Sequence, residues 1–186
     1  SEDETVRIWD VASGAETAMM EGHMATVWSV AFSADGKSIV SGSTDETVRI
    51  WDVVSGAETA MMEGHIETVT SVAFSADGKS IVSGSEDETV RIWDVVSGAE
   101  TAMMEGHIET VTSVAFSADG KSIVSGSEDE TVRIWDVVSG AETAMMEGHI
   151  ETVTSVAFSA DGKSIVSGSE DETVRIWDVA SGAETA

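Results

Sequence analysis

The sequence predicts an all-β chain of four-stranded antiparallel sheets stacked side by side, about four and a half of them. Three observations carry this prediction. A 42-residue unit recurs four times in the 186 residues, with 18 left over. Period-two alternation and glycine-containing turns divide each unit into four short segments. No segment shows the i, i+3, i+4 apolar spacing of an amphipathic helix.

The unit from Ala57 to Ala99 stands for the others. Ser55-Gly56 marks a turn, and Glu58-Thr59-Ala60-Met61-Met62 suits one short outer strand, d, before Gly64-His65 interrupts it. The two methionines alternate faces, which sends one into the core and leaves the other on the outer surface. Val69 to Ser75 reads as strand a, with Val72 and Phe74 on one face and Val69, Ser71, Ala73 and Ser75 on the other. Asp77-Gly78 follows, a pair that supplies the positive φ angles of a tight hairpin. Strand b runs from Ser80 to Ser85 with Ile81 and Val82 apolar, Glu86-Asp87-Glu88 makes a polar turn, and strand c runs from Thr89 to Asp94. One such sheet is too small to bury both of its faces, so the copies must stack. Radial stacking about an axis covers both faces and leaves only short edges, which is the plan of a β-propeller.

Two signatures recur at constant spacing. Gly-His stands at Gly22-His23, Gly64-His65, Gly106-His107 and Gly148-His149, and Trp-Asp at Trp9-Asp10, Trp51-Asp52, Trp93-Asp94, Trp135-Asp136 and Trp177-Asp178. With about forty residues per copy, the whole chain resembles the WD-repeat (WD40) propeller family. It departs from that family at Ala76 and its counterparts, where a proline is common, and gives up some turn rigidity there. The resemblance implies a hydrogen-bonded relay inside each blade. The four relays fall on His23, Ser41, Asp45 and Trp51; on His65, Ser83, Asp87 and Trp93; on His107, Ser125, Asp129 and Trp135; and on His149, Ser167, Asp171 and Trp177. It also implies protein or peptide binding on the rim where the d–a and b–c loops meet. That rim here carries Thr26, Trp28 and Thr44, then Thr68, Thr70 and Glu86, Thr110, Thr112 and Glu128, and Thr152, Thr154 and Glu170. Trp28 replaces the threonine of the later copies, and exposed tryptophan is enriched at binding hot spots.

The same residue types also occur in catalytic and metal sites. Ser, His and Asp occur together in every copy, but an identical constellation in each copy indicates a structural device rather than a nucleophilic triad. Ala73 to Ser80 falls one glycine short of a phosphate loop and sits in a hairpin instead of between a strand and a helix. Acidic turns such as Ser85 to Glu88 lack the alternating oxygen ligands of a calcium loop, and single histidines held apart on separate blades do not make a metal site. No enzyme activity, cofactor or metal is expected.

Hydrophobic residues make up 41% and charged residues 24% of the chain, enough to build a core and too apolar for a disordered tail. The net charge of -26 repels phosphate backbones and anionic headgroups, so neither nucleic acid nor a membrane is an expected partner, whereas a basic peptide is. There is no cysteine, and stability is independent of redox state. No apolar run reaches about 18 residues and no signal segment opens the chain, so a soluble protein, cytoplasmic by expectation, is predicted. Ser1 in place of an initiator methionine is expected of a processed or tagged chain.

Organisation points to self-assembly. Residues 1–18 form an N-terminal half-blade of strands c and d, and residues 19–186 form four repeats ending in a half-blade identical to it. Near-identical copies and the absence of Leu, Pro, Asn, Gln and Tyr point to a module amplified recently or by design. Four wedges are too few to close the ring this family builds, and open ends present strand edges to another chain. The expected partner is a second copy: a two-fold homodimer of eight blades, in which Ala15 to Met20 of one chain completes the last blade of the other. A ninth, composite blade made of the surplus half-blades is the other arrangement.

Overall fold

Strands form where the sequence alternates and end where glycine or an acidic turn interrupts it. The computed structural model describes all residues, 1–186, as seventeen strands without a helix. β1 (Val6–Trp9) and β2 (Glu16–Met20) make a lone hairpin. Three complete meanders follow. They are β3 (Val27–Phe32), β4 (Ser38–Ser43), β5 (Val48–Asp52) and β6 (Glu58–Met62); β7 (Val69–Phe74), β8 (Ser80–Ser85), β9 (Val90–Asp94) and β10 (Glu100–Met104); and β11 (Val111–Phe116), β12 (Ser122–Ser127), β13 (Val132–Asp136) and β14 (Glu142–Met146). A three-stranded sheet of β15 (Val153–Phe158), β16 (Ser164–Ser169) and β17 (Val174–Asp178) ends the series.

Each sheet is a blade, and successive blades meet through strand a, with β7 lying between β3 and β11, and β11 between β7 and β15. The core therefore lies between blades. Val82, Val90, Ile92 and Met104 of one blade pack against Val111, Val114, Ile123 and Trp135 of the next, and the same cluster recurs one unit earlier and one unit later. Each fully buried side chain of this size contributes about 1.5–3 kcal/mol, so stability resides at the junctions and not within single sheets. Of each methionine pair, Met62 is buried and Met61 lies on the outer surface.

Three local features differ from the sequence reading. A bulge between Val69 and Ser71 shifts the register, so Val69 joins Val72 on one face, both against Gly42 of the preceding blade. The loop from Ser75 to Lys79 has a positive φ only at Gly78; the Asp77 carboxylate instead braces it, accepting the Ser75 hydroxyl at 2.8 Å and the Lys79 N–H at 3.1 Å. In the b–c turn the left-handed residue is not a glycine but Glu88, with φ 67°.

Within the single chain each end strand keeps a partner of its own. β2 is paired along its length with its own β1, from Val6 opposite Met20 to Trp9 opposite Glu16. The fourth-strand position of the last blade is held by the chain's own tail, through a bridge between Trp177 and Glu184 and hydrogen bonds from Ile176 N–H to Ala186 and from Thr185 N–H to Ile176. The four blades and the half-blade form an arc, uncovered at the face of the last blade and at the inner half of the first.

Candidate functional site

Inside each blade, four side chains from different strands converge. Trp93 Nε1 donates to Ser83 Oγ at 2.8 Å, Ser83 Oγ lies 2.7 Å from His65 Nε2, and His65 Nδ1 lies 2.7 Å from Asp87 Oδ2. Indole can only donate, so Ser83 Oγ accepts from Trp93 and keeps its own proton available for His65 Nε2, while His65 Nδ1 faces the Asp87 carboxylate. Thr89 Oγ1 donates to the other Asp87 oxygen at 2.6 Å, and Arg91 reaches strand d through Glu100 at 2.6 Å. The same distances recur, within 0.1 Å, at His23, Ser41, Asp45 and Trp51, at His107, Ser125, Asp129 and Trp135, and at His149, Ser167, Asp171 and Trp177.

Electrostatics follow from these bonds. Burial raises the Asp45 carboxyl, but hydrogen bonds from Thr47, the Met24 N–H and His23 outweigh it and hold the group at about 2. Asp87 and Asp129 are held well below the usual carboxylate range in the same way, against burial, by histidine and threonine donors. Burial pushes His23 below its ordinary value despite Asp45 beside it. The sequence places glycine before each histidine because a Cβ at Gly64 would lie 2.9 Å from Arg91 and 3.0 Å from the Trp93 ring. Ser83 is wholly buried and its oxygen already accepts the indole N–H, so no substrate reaches it. The constellation ties strands b and c and the d–a loop together; it has no room for acyl transfer. No group of three or more His, Asp or Glu side chains is placed to hold a metal ion.

Chemistry open to a partner lies at the ends of the arc. Val30 is 56% exposed and Phe32 57%, whereas Val72 and Val114, the counterparts of Val30, are 5% and 6% exposed. At the other end Val174 is 69% exposed where Val90 and Val132 are fully buried, and Val166 and Ile176 are bare as well. The outer half of the first face is covered by the lone hairpin, whose Val6 and Met20 pack on Val27, Ile39 and Trp51. The inner half, where strands a and b would lie, is a cleft of about 380 Å³ lined by Val6, Trp9, Val27, Trp28 and Val30 among others.

Hydrogen bonds across the junctions are interrupted at the same places. Val72, Val114 and Val156 donate their N–H to Ser29, Ser71 and Ser113 of the preceding blade at 3.1, 3.1 and 3.2 Å. Thr70 and Thr112 donate to the Val111 and Val153 carbonyls of the following blade. At the ends, Ser155 and Thr154 have no following blade and the Val30 N–H has no preceding serine. These contacts had no signature in the strand pattern; only the offsets between partners, 43 residues for the serine contacts and 41 for the threonine contacts, one either side of the repeat, link them to it.

The rim residues divide by role. The d–a and b–c loops do meet, with Thr44 N–H donating to the Thr26 carbonyl and Glu86, Glu128 and Glu170 N–H to Thr68, Thr110 and Thr152. The glutamates are exposed there. The hydroxyls of Thr70 and Thr112 are engaged by the next blade, and Thr154 binds its own Gly168 carbonyl at 3.2 Å. Trp28 is 64% exposed, donates Nε1 to Thr44 Oγ1 at 2.8 Å, and lines the end cleft beside Val30.

Comparison with known proteins agrees with this architecture. The WD domain, G-beta repeat family profile matches four times, at residues 14–52, 56–94, 98–136 and 140–178. Coronin-7 of Mus musculus is 46% identical over 41 residues, a stretch covering 22% of this chain and 4% of that protein. The family's repeats build protein-interaction scaffolds. With matched repeats over most of its length, and with the Gly-His and Trp-Asp side chains joined inside each blade, the chain belongs to the WD40 family of G-beta repeats.

Proposed function

We propose that this chain is a non-enzymatic interaction scaffold that completes a propeller ring with a second copy of itself, eight blades from two chains. The observation that carries the reading is the complementarity of its end faces. Val166 and Val30 are exposed at opposite ends, and their counterparts share every internal junction cluster, whereas Val27 and Ile39 are already covered by Val6 and Met20 of the lone hairpin, which holds the place that Val174 and its neighbours would otherwise take. The polar contacts match too, since Ser155 at one end corresponds to the serine that Val30 N–H lacks at the other. A head-to-tail interface normally propagates, but the fixed wedge angle of the blades turns it into a closed ring.

A basic peptide read through the rim is the second reading, favoured by the net charge of -26 and the exposed Glu86, Glu128 and Glu170. It loses ground because the Thr70 and Thr112 hydroxyls are engaged by neighbouring blades and Trp28 faces the cleft.

Light scattering on a sizing column separates the readings. The expected mass is twice the 19.5 kDa of one chain. Val30→Glu places a charge on a face that is solvated in one chain and buried in the ring, so this variant is expected to elute at the single mass while remaining folded. Wild type at the single mass across micromolar concentrations overturns the proposal.

A further inference from the structure

The lone hairpin carries half of a relay. Asp3 and Trp9 stand where Asp45 and Trp51 stand one unit later, but the hairpin has no strands a and b to supply the relay's histidine and serine, and Asp3 accepts from Ser1 and Thr5 instead. Trp9 is 54% exposed, against 1% for Trp51, and its indole N–H meets no protein acceptor. Without a histidine, Asp3 turns to Arg7 at 2.9 Å, a pair that is 3.6–3.7 Å apart at Asp45, Asp87 and Asp129. At the other end of the chain, His149 and Ser167 sit on the a–b part of the last blade and use Asp171 and Trp177. Residues 1–18 and 169–186 are identical, so Asp3 and Trp9 can replace Asp171 and Trp177 atom for atom.

The two candidates for that place are held unequally. β1 and β2 are seated on the first full blade, with Val6 and Met20 buried against Val27, Ile39 and Trp51. β17 has Val174 and Ile176 bare, and its fourth-strand neighbour is the short tail, held by one bridge at Glu184, two backbone hydrogen bonds at Thr185 and Ala186 and the Arg175–Glu184 ion pair instead of a full strand. Arg175 Nε is buried with no hydrogen-bond partner, whereas Nε of Arg7, Arg49, Arg91 and Arg133 each donates to a threonine. An unpaired buried donor is costly, and leaving that position relieves it.

Resting on the self-assembly reading, we propose that the joining blade is composite. β15 and β16 of one copy enter the cleft beside Trp9 and Trp28 of the next, pair with that copy's β1 and β2, and release residues 170–186. Each chain keeps three complete blades and each of two junctions makes one, which gives eight. The register follows from the internal blades, where Ser80 faces Asp94 and Gly84 faces Val90, so Ser164 of one copy faces Asp10 of the other and Gly168 faces Val6. His149 and Ser167 then meet Asp3 and Trp9 across the chain boundary, and the relay is complete only in the assembly.

The chain has no cysteine, which makes a disulfide a clean reporter. Directly opposed residues of an antiparallel pair have Cα atoms about 4.5–5.5 Å apart, inside the range of about 4.4–6.8 Å that a disulfide spans. Ser164→Cys combined with Asp10→Cys is expected to give, after mild oxidation, a species of twice the chain mass on a non-reducing gel. Ser164→Cys combined with Asp178→Cys is expected to stay uncrosslinked in the assembled fraction. The reverse pattern in a protein of double mass overturns the composite blade and leaves self-assembly standing, whereas a single mass for wild type overturns both. As a second readout, Asp3→Ala is expected to lower the melting temperature of the assembled protein and Asp171→Ala to leave it unchanged; equal losses count against the exchange.

Discussion

Glu88 shows how far a single residue's neighbours can force its backbone. It and its counterparts Glu4, Glu46, Glu130 and Glu172 all adopt a positive φ of 65–68°, in turns where the side chain makes no hydrogen bond or ion pair. The left-handed conformation costs a residue with a Cβ about 1–2 kcal/mol. It is retained because Thr89 and Asp87 on either side are locked to the relay. Glu88→Gly is therefore expected to raise the urea midpoint, by about 1 kcal/mol of unfolding free energy per turn after the extra entropy of glycine in the unfolded chain is deducted. An unchanged or lower midpoint contradicts this. Nothing in the sequence flagged the position, because Glu-Asp-Glu reads as a solvated turn and the φ is imposed by tertiary contacts. The relay residues followed, by contrast, from the family resemblance that the Gly-His and Trp-Asp signatures carry; what the resemblance left unstated was the geometry, in which the indole donates to the serine and the threonine to the carboxylate.

At the scale of one strand, the decisive residue is the glycine of strand b. A Cβ at Gly84 would lie 2.6 Å from Val111 Cγ1 and 3.0 Å from Val114 Cγ1, so blades approach each other only because this position is bare. Gly168, the same residue in the last blade, has nothing within 4 Å. Identical substitutions thus have different consequences. Gly84→Ala is expected to destabilise the fold by about 1–3 kcal/mol through overpacking. Gly168→Ala is expected to leave unfolding of the isolated chain within about 0.5 kcal/mol of wild type and to weaken association at least tenfold, as read by concentration-dependent light scattering. Strand positions themselves were legible from alternation, and the observed bounds of β7, β8 and β9 differ from the sequence reading by a residue at most. The facing of Val69 was not, because a bulge reverses the parity on which alternation depends.

The whole molecule is an acidic arc. Bringing two chains of -26 together costs repulsion that counter-ions screen, with a Debye length of about 8 Å at 0.15 M ionic strength. Association is expected to tighten as salt rises from about 0.02 M to about 0.3 M. Looser association in higher salt would mean that opposite charges, rather than Val30 and Val166, hold the copies together. That the arc is open was legible from the repeat count. Which hairpin is better seated was not, because the two are identical in sequence and differ only in what they pack against.

The uniformity of the junctions has a kinetic consequence. Where every interface between neighbouring blades is the same, no blade is a privileged nucleus, and folding can begin at any of the three complete sheets and spread to its neighbours. Unfolding runs the other way, from the margins. β17, paired with β16 but bare on one face and flanked on its outer side only by the short tail, frays before the inner strands, so backbone amide exchange in a solitary chain should grade from fast at Val174–Asp178 to slow at Val90–Asp94.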